Sequence, residues 1–115
     1  MVGRSVSGAR YGVRDWLVQR VSAVYMAVYT LVLLTLLARQ PITYASWHGL
    51  FEPAPMRYAT LLFALCIYLH AWVGVRDIFM DYLKPTWLRL AAEAASILAL
   101  VLYAAWTVNI LWSLP

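Results

Sequence analysis

Long uncharged runs alternate with short polar interruptions along this chain, and the pattern predicts three helices of membrane-spanning length. Residues 21–38 hold no charged side chain. With residues 16–20 they reach the roughly 20 positions needed to cross about 30 Å of hydrocarbon. Arg39, Gln40 and Pro41 end this run, and the stretch up to Tyr58 collects Pro41, Trp47, His48, Gly49, Glu52, Pro53 and Pro55, the makings of an interfacial loop. A second uncharged run covers 59–75 and continues as helix toward Pro85, because a proline disfavours the helical conformation in the residue before it. Pro85 itself suits the first turn of a third helix, and no charge follows Ala94. The predicted spans are 16–38, 59–82 and 87–112. Residues 1–15 mix Gly, Ser and Arg without apolar periodicity and read as a mobile or partner-docked arm.

Composition turns three apolar runs into a fold class. With 64% hydrophobic and only 12% charged residues, and a mean hydropathy of +0.72, the solvent for most of the surface is lipid. The expectation is an all-α, multi-pass integral membrane protein forming a single domain over 1–115. The first apolar run exceeds the roughly 7–15 residues of a secretory signal core, so it is expected to remain as a span. Cys66 is the single cysteine, which excludes an intrachain disulfide and a CxxC motif. The net charge of +4 follows from topology rather than from nucleic acid. Of the nine Lys and Arg, only Arg39 and Arg57 fall in the first connection; Arg4, Arg10, Arg14 and Arg20 precede the first span, and Arg76, Lys84 and Arg89 surround the second connection. The positive-inside rule then places the N-terminus and the 76–89 turn in the cytoplasm and the C-terminus in the periplasm.

Candidate chemistry concentrates in HAWVGVRDIFMDYLKP, residues 70–85. His70 stands eleven residues from Ala59 and eleven from Asp81, about 16 Å of helical rise either way, near the expected midplane. An ionisable group at that depth faces the bundle or a cofactor rather than lipid. Taken alone, a functional histidine and a neutral histidine bonded to a neighbouring helix carry comparable weight. Helical spacing puts Cys66, Gly74, Asp77 and Asp81 near the same face, and Gly74 leaves a gap in which a flat macrocycle would fit. Neutral imidazole is a common axial ligand of haem iron. Cys66 reads as packing, since Cys66 and His70 are too few ligands for a closed metal site. The only other histidine, His48, belongs to the outer loop, so a second axial ligand would come from another polypeptide.

This motif, with its histidine, Gly, Asp-Tyr and Lys-Pro at fixed spacing, resembles the small hydrophobic membrane anchor of bacterial succinate dehydrogenase, the D-type subunit of complex II. GVRDWLVQRVSAV, at the start of the first span, is a weaker match. The resemblance implies that His70 is one of two histidine ligands of haem b, the other lying on a companion cytochrome b anchor subunit. It implies that Arg20 lies near the haem propionates, that Tyr82 belongs to the ubiquinone site, and that Asp81 orients its hydroxyl or relays protons. The implied partners are that companion, an iron–sulfur subunit and a flavoprotein subunit, assembled at the bacterial inner membrane; alone, the chain would catalyse nothing. Plainer roles stand beside these. Arg20 also suits a topology anchor, Tyr82 an interfacial aromatic, and Asp81 a partner for Lys84 or Arg76. Arg76 and Asp77 are expected in salt bridges at the interface with companion subunits, and Arg89 with Glu93 as a pair one turn apart. The alternatives are a haem-free fumarate reductase anchor, against which His70 argues, and a small transporter or structural subunit, against which the lack of a buried acid in the first span argues.

Overall fold

A computed structural model describes the backbone of residues 2–113 and the side chains of residues 12–113. The described residues form four helices and no strands: α1 (Val2–Ala38), α2 (Tyr44–Leu50), α3 (Ala54–Tyr82) and α4 (Thr86–Trp112). Three of them are long and apolar enough to cross a membrane, over Gly12–Ala38, Ala54–Tyr82 and Thr86–Trp112. The backbone of 2–15 continues α1 as helix. The side chains of Arg4 and Arg10, two of the charges that set the expected orientation, lie outside the described residues.

Local chemistry sets the helix ends. Thr43 caps α2 through a reciprocal box: its hydroxyl accepts from the Ser46 N–H at 3.1 Å, and the Ser46 hydroxyl accepts from the Thr43 N–H at 2.9 Å. Pro53 caps α3 from an extended conformation, and its carbonyl accepts from the N–H groups of Met56 and Arg57, each at 3.1 Å. Pro55 is tolerated in that first turn because its missing N–H would have had no partner there. At the far end the Leu83 N–H reaches the Phe79 carbonyl at 3.0 Å, and Pro85 caps α4. Three residues therefore connect α3 to α4.

Central in the array is α3, which packs against α1 on one side and α4 on the other. Tyr29 stacks on Phe63 with ring centroids 4.3 Å apart, and its hydroxyl meets Thr60 Oγ1 at 2.6 Å. Tyr25 donates to the Ala59 carbonyl at 2.7 Å. Across the other interface the Tyr68 hydroxyl lies 2.7 Å from Thr107 Oγ1. Such bonds satisfy polar groups that lipid cannot. Among the described residues only Tyr29, Val73 and Leu111 are buried apolar side chains, whereas Val21, Leu31, Ile97, Leu102 and many others are exposed. That inversion suits a chain whose outer surface meets lipid and neighbouring subunits.

Candidate functional site

Antiparallel packing of α1 and α3 brings Ser22 against His70. Ser22 Oγ lies 3.2 Å from His70 Nδ1 and also donates to the Gln19 carbonyl at 3.2 Å. Ser22 is 4% exposed, the one buried polar residue among those described. His70 thus bonds to a neighbouring helix and at the same time lines an open cleft of about 370 Å³ between α1 and α3. Trp16, Gln19, Arg20 and Ala23 form the α1 wall; Val73 and Asp77 continue the α3 wall.

Charge is arranged along this cleft. Arg20 sits over the Trp16 ring, its guanidinium carbon 5.4 Å from the centroid, so the cation is supported by an aromatic face and not by a carboxylate. Arg76 is bonded to Asp15 of α1, and its Nη2 lies 3.8 Å from Asp77. Arg76, expected with Asp77 in salt bridges to companion subunits, also ties α1 to α3 within the chain, because antiparallel packing sets Asp15 opposite it. Three buried side-chain atoms have no hydrogen-bond partner among the described residues: Gln19 Oε1 and Arg76 Nε near the Ser22–His70 contact, and Arg57 Nε in the first turn of α3, at its other end.

Of the residues singled out in the sequence, His70 and Arg20 share the cleft, but Asp81 and Tyr82 do not. They occupy the last turn of α3, about 16 Å of rise from His70, and Tyr82 is 77% exposed. Asp81 makes no ion pair with Lys84 or Arg76, nor Arg89 with Glu93, among the described residues. Cys66 is half-buried. A Cβ added at Gly74 would meet no heavy atom within 4 Å, so the space expected beside that glycine is open. His48 belongs to α2, where its Nδ1 lies 3.1 Å from Glu52, and it borders a different cavity with Thr60 and Thr107. Ser22 was not evident in the sequence as a partner of His70.

The donor set fits haem better than a bare metal ion. No group of three or more His, Cys, Asp or Glu side chains able to hold a metal exists among the described residues. A porphyrin supplies its own four equatorial nitrogens and needs only axial ligands from protein. The cleft offers one imidazole and, on the facing wall, a guanidinium that pairs with no carboxylate among the described residues.

The family model described as succinate dehydrogenase/fumarate reductase transmembrane subunit matches residues 3–111. A curated relative from Coxiella burnetii (strain RSA 493 / Nine Mile phase I), the succinate dehydrogenase hydrophobic membrane anchor subunit, is 42% identical over 105 residues, covering 90% of this chain and 91% of the relative.

Proposed function

The chain belongs to the succinate dehydrogenase/fumarate reductase transmembrane subunit family, and from that premise we propose that it anchors a bacterial succinate dehydrogenase in the inner membrane and completes a haem b site with a companion subunit. The observation that carries the haem reading is His70, held at Nδ1 by Ser22 in a cleft that Arg20 also lines.

In this reading His70 would be this chain's ligand to the haem iron, and Arg20 would pair with a propionate, for which a guanidinium fork is suited. A cytochrome b anchor subunit would bring the second ligand, since His48 is engaged with Glu52 away from the cleft. Haem b, when bound, supplies a one-electron carrier inside the membrane. This chain's own residues hold the imidazole and balance charge along the α1–α3 cleft. The exposed end of α3 is the quinone-facing end. There the Tyr82 phenol donates a hydrogen bond to a ubiquinone carbonyl. Asp81 orients that hydroxyl or passes protons, two of which are taken up when quinone becomes quinol. The basic ends of α1, α3 and α4 face the cytoplasm, where the flavoprotein and iron–sulfur subunits dock.

The family description also covers fumarate reductase anchors, and a haem-free anchor would have no use for a cleft histidine. A reduced-minus-oxidised absorption spectrum of the purified complex separates the two readings. Bands of a b-type haem are expected; their absence sinks the assignment of His70 as a ligand.

A further inference from the structure

We propose that Ser22 is the positioning residue for His70: its hydroxyl oxygen accepts a hydrogen bond from Nδ1–H and thereby leaves Nε2 as the unprotonated nitrogen available to iron. The inference rests on the haem reading above and adds which nitrogen binds and what fixes it.

A hydroxyl carries a single proton. The Gln19 carbonyl oxygen can only accept, and Ser22 Oγ lies 3.2 Å from it. With its proton directed there, Ser22 offers lone pairs to the other contact, Nδ1 of His70 at 3.2 Å. Nδ1 is then the nitrogen that donates, and a neutral imidazole has only one N–H. Nε2 keeps its lone pair and makes no hydrogen bond among the described residues. The opposite tautomer would require the Ser22 hydroxyl to give up the Gln19 carbonyl and donate to Nδ1 instead.

Burial makes the contact decisive. Ser22 is 4% exposed while Val21 and Val24 beside it are 65% and 63% exposed, so this position is enclosed by the α1–α3 interface and water cannot readily replace its hydroxyl. The bond also fixes the ring's rotation about its Cβ–Cγ axis. Ligating histidines are generally held this way: an acceptor on the second nitrogen sets the tautomer, orients the ring and raises its basicity toward the metal. Gln19 and Ser22 lie on adjacent turns of α1 with Arg20 between them, so one stretch of backbone both orients the ligand and presents the guanidinium.

The test uses the assembled complex carrying Ser22→Ala or Ser22→Thr, followed by a spectroscopic redox titration of haem. In Ser22→Ala the haem midpoint potential is expected to move positive, because a less basic imidazole stabilises the ferric state less, and haem retention through purification is expected to fall roughly tenfold or more. Ser22→Thr keeps the hydroxyl and should restore both properties toward wild type. Unchanged potential and retention in Ser22→Ala overturn the proposal, as does a Ser22→Thr complex that assembles normally yet behaves like the alanine variant. Should Ser22→Ala prevent assembly, the titration of Ser22→Thr against wild type decides, an unshifted potential being the expected result and a positive shift the contrary one. A His70→Ala complex run in parallel separates the two levels: if its haem spectrum matches wild type, the haem reading itself fails; if haem depends on His70 but not on Ser22, only the present inference does.

Discussion

His70 and Tyr82 share a helix but stand in opposite surroundings, one inside a cleft with its ring fixed by Ser22 and the other 77% exposed at the helix end. Exposure in the isolated chain suits a residue that meets its ligand at a subunit boundary, and it gives Tyr82 no packing duty to confuse the reading of a mutation. Replacing Tyr82 with Phe removes one hydroxyl donor and little else. Quinone reductase activity should drop about tenfold, the scale of one lost hydrogen bond at a reacting carbonyl, while succinate oxidation with a soluble artificial acceptor stays at the wild-type rate. Parallel loss of both activities would remove Tyr82 from the quinone site. His70 stood out in the sequence because it is the one histidine in a long run, 59–75, that holds no Asp, Glu, Lys or Arg. Ser22 did not, since a serine bonded to a carbonyl one turn back is ordinary in an apolar helix, and its second contact, 48 residues away, exists only after α1 and α3 pack.

Between elements, the tie that closes α1 onto α3 at the basic end is Arg76 with Asp15. Both side chains are partly enclosed, 24% and 31% exposed, so the pair lies between a solvated bridge and a buried one. A double-mutant cycle of Asp15→Ala and Arg76→Ala, read from thermal unfolding of the detergent-solubilised complex, should give a coupling of about 1–3 kcal/mol. Strictly additive effects would show that the two charges act separately. The sequence pointed elsewhere, because Asp77 and Asp81 are far nearer to Arg76 along the chain and nothing local announces a partner in another helix. Helix ends were read unevenly for similar reasons. Pro85 marked the α3–α4 turn clearly. Pro53 and Pro55 looked like loop residues, yet the structure uses them as the cap and first turn of α3, which moves its start from 59 to Ala54. The α2 helix escaped notice because seven residues between prolines give no periodicity to recognise; its signature is the short Thr43–Ser46 box. At the other extreme, α1 continues back to Val2 through a stretch that carries no amphipathic pattern.

At the scale of the whole molecule, little is buried for a protein with 64% hydrophobic residues. The three spans were legible because charge is excluded from each over the thickness of a bilayer, a constraint that acts through every residue of the run. The site was legible only in part: His70 and Arg20 could be singled out along the chain, whereas the contact of His70 with Ser22 exists only once α1 and α3 pack. His70 lines the cleft, and His48 is engaged with Glu52 outside it. The central proposal is a cofactor shared between this chain and a companion, with His70 as this chain's contribution. The haem content of affinity-purified complex, measured per copy of this chain in wild type and in His70→Ala at matched subunit composition, tests that claim most directly. One haem b per copy is expected in wild type, with loss of haem or a clearly altered spectrum in the variant; the same haem content and the same spectrum in both would contradict it.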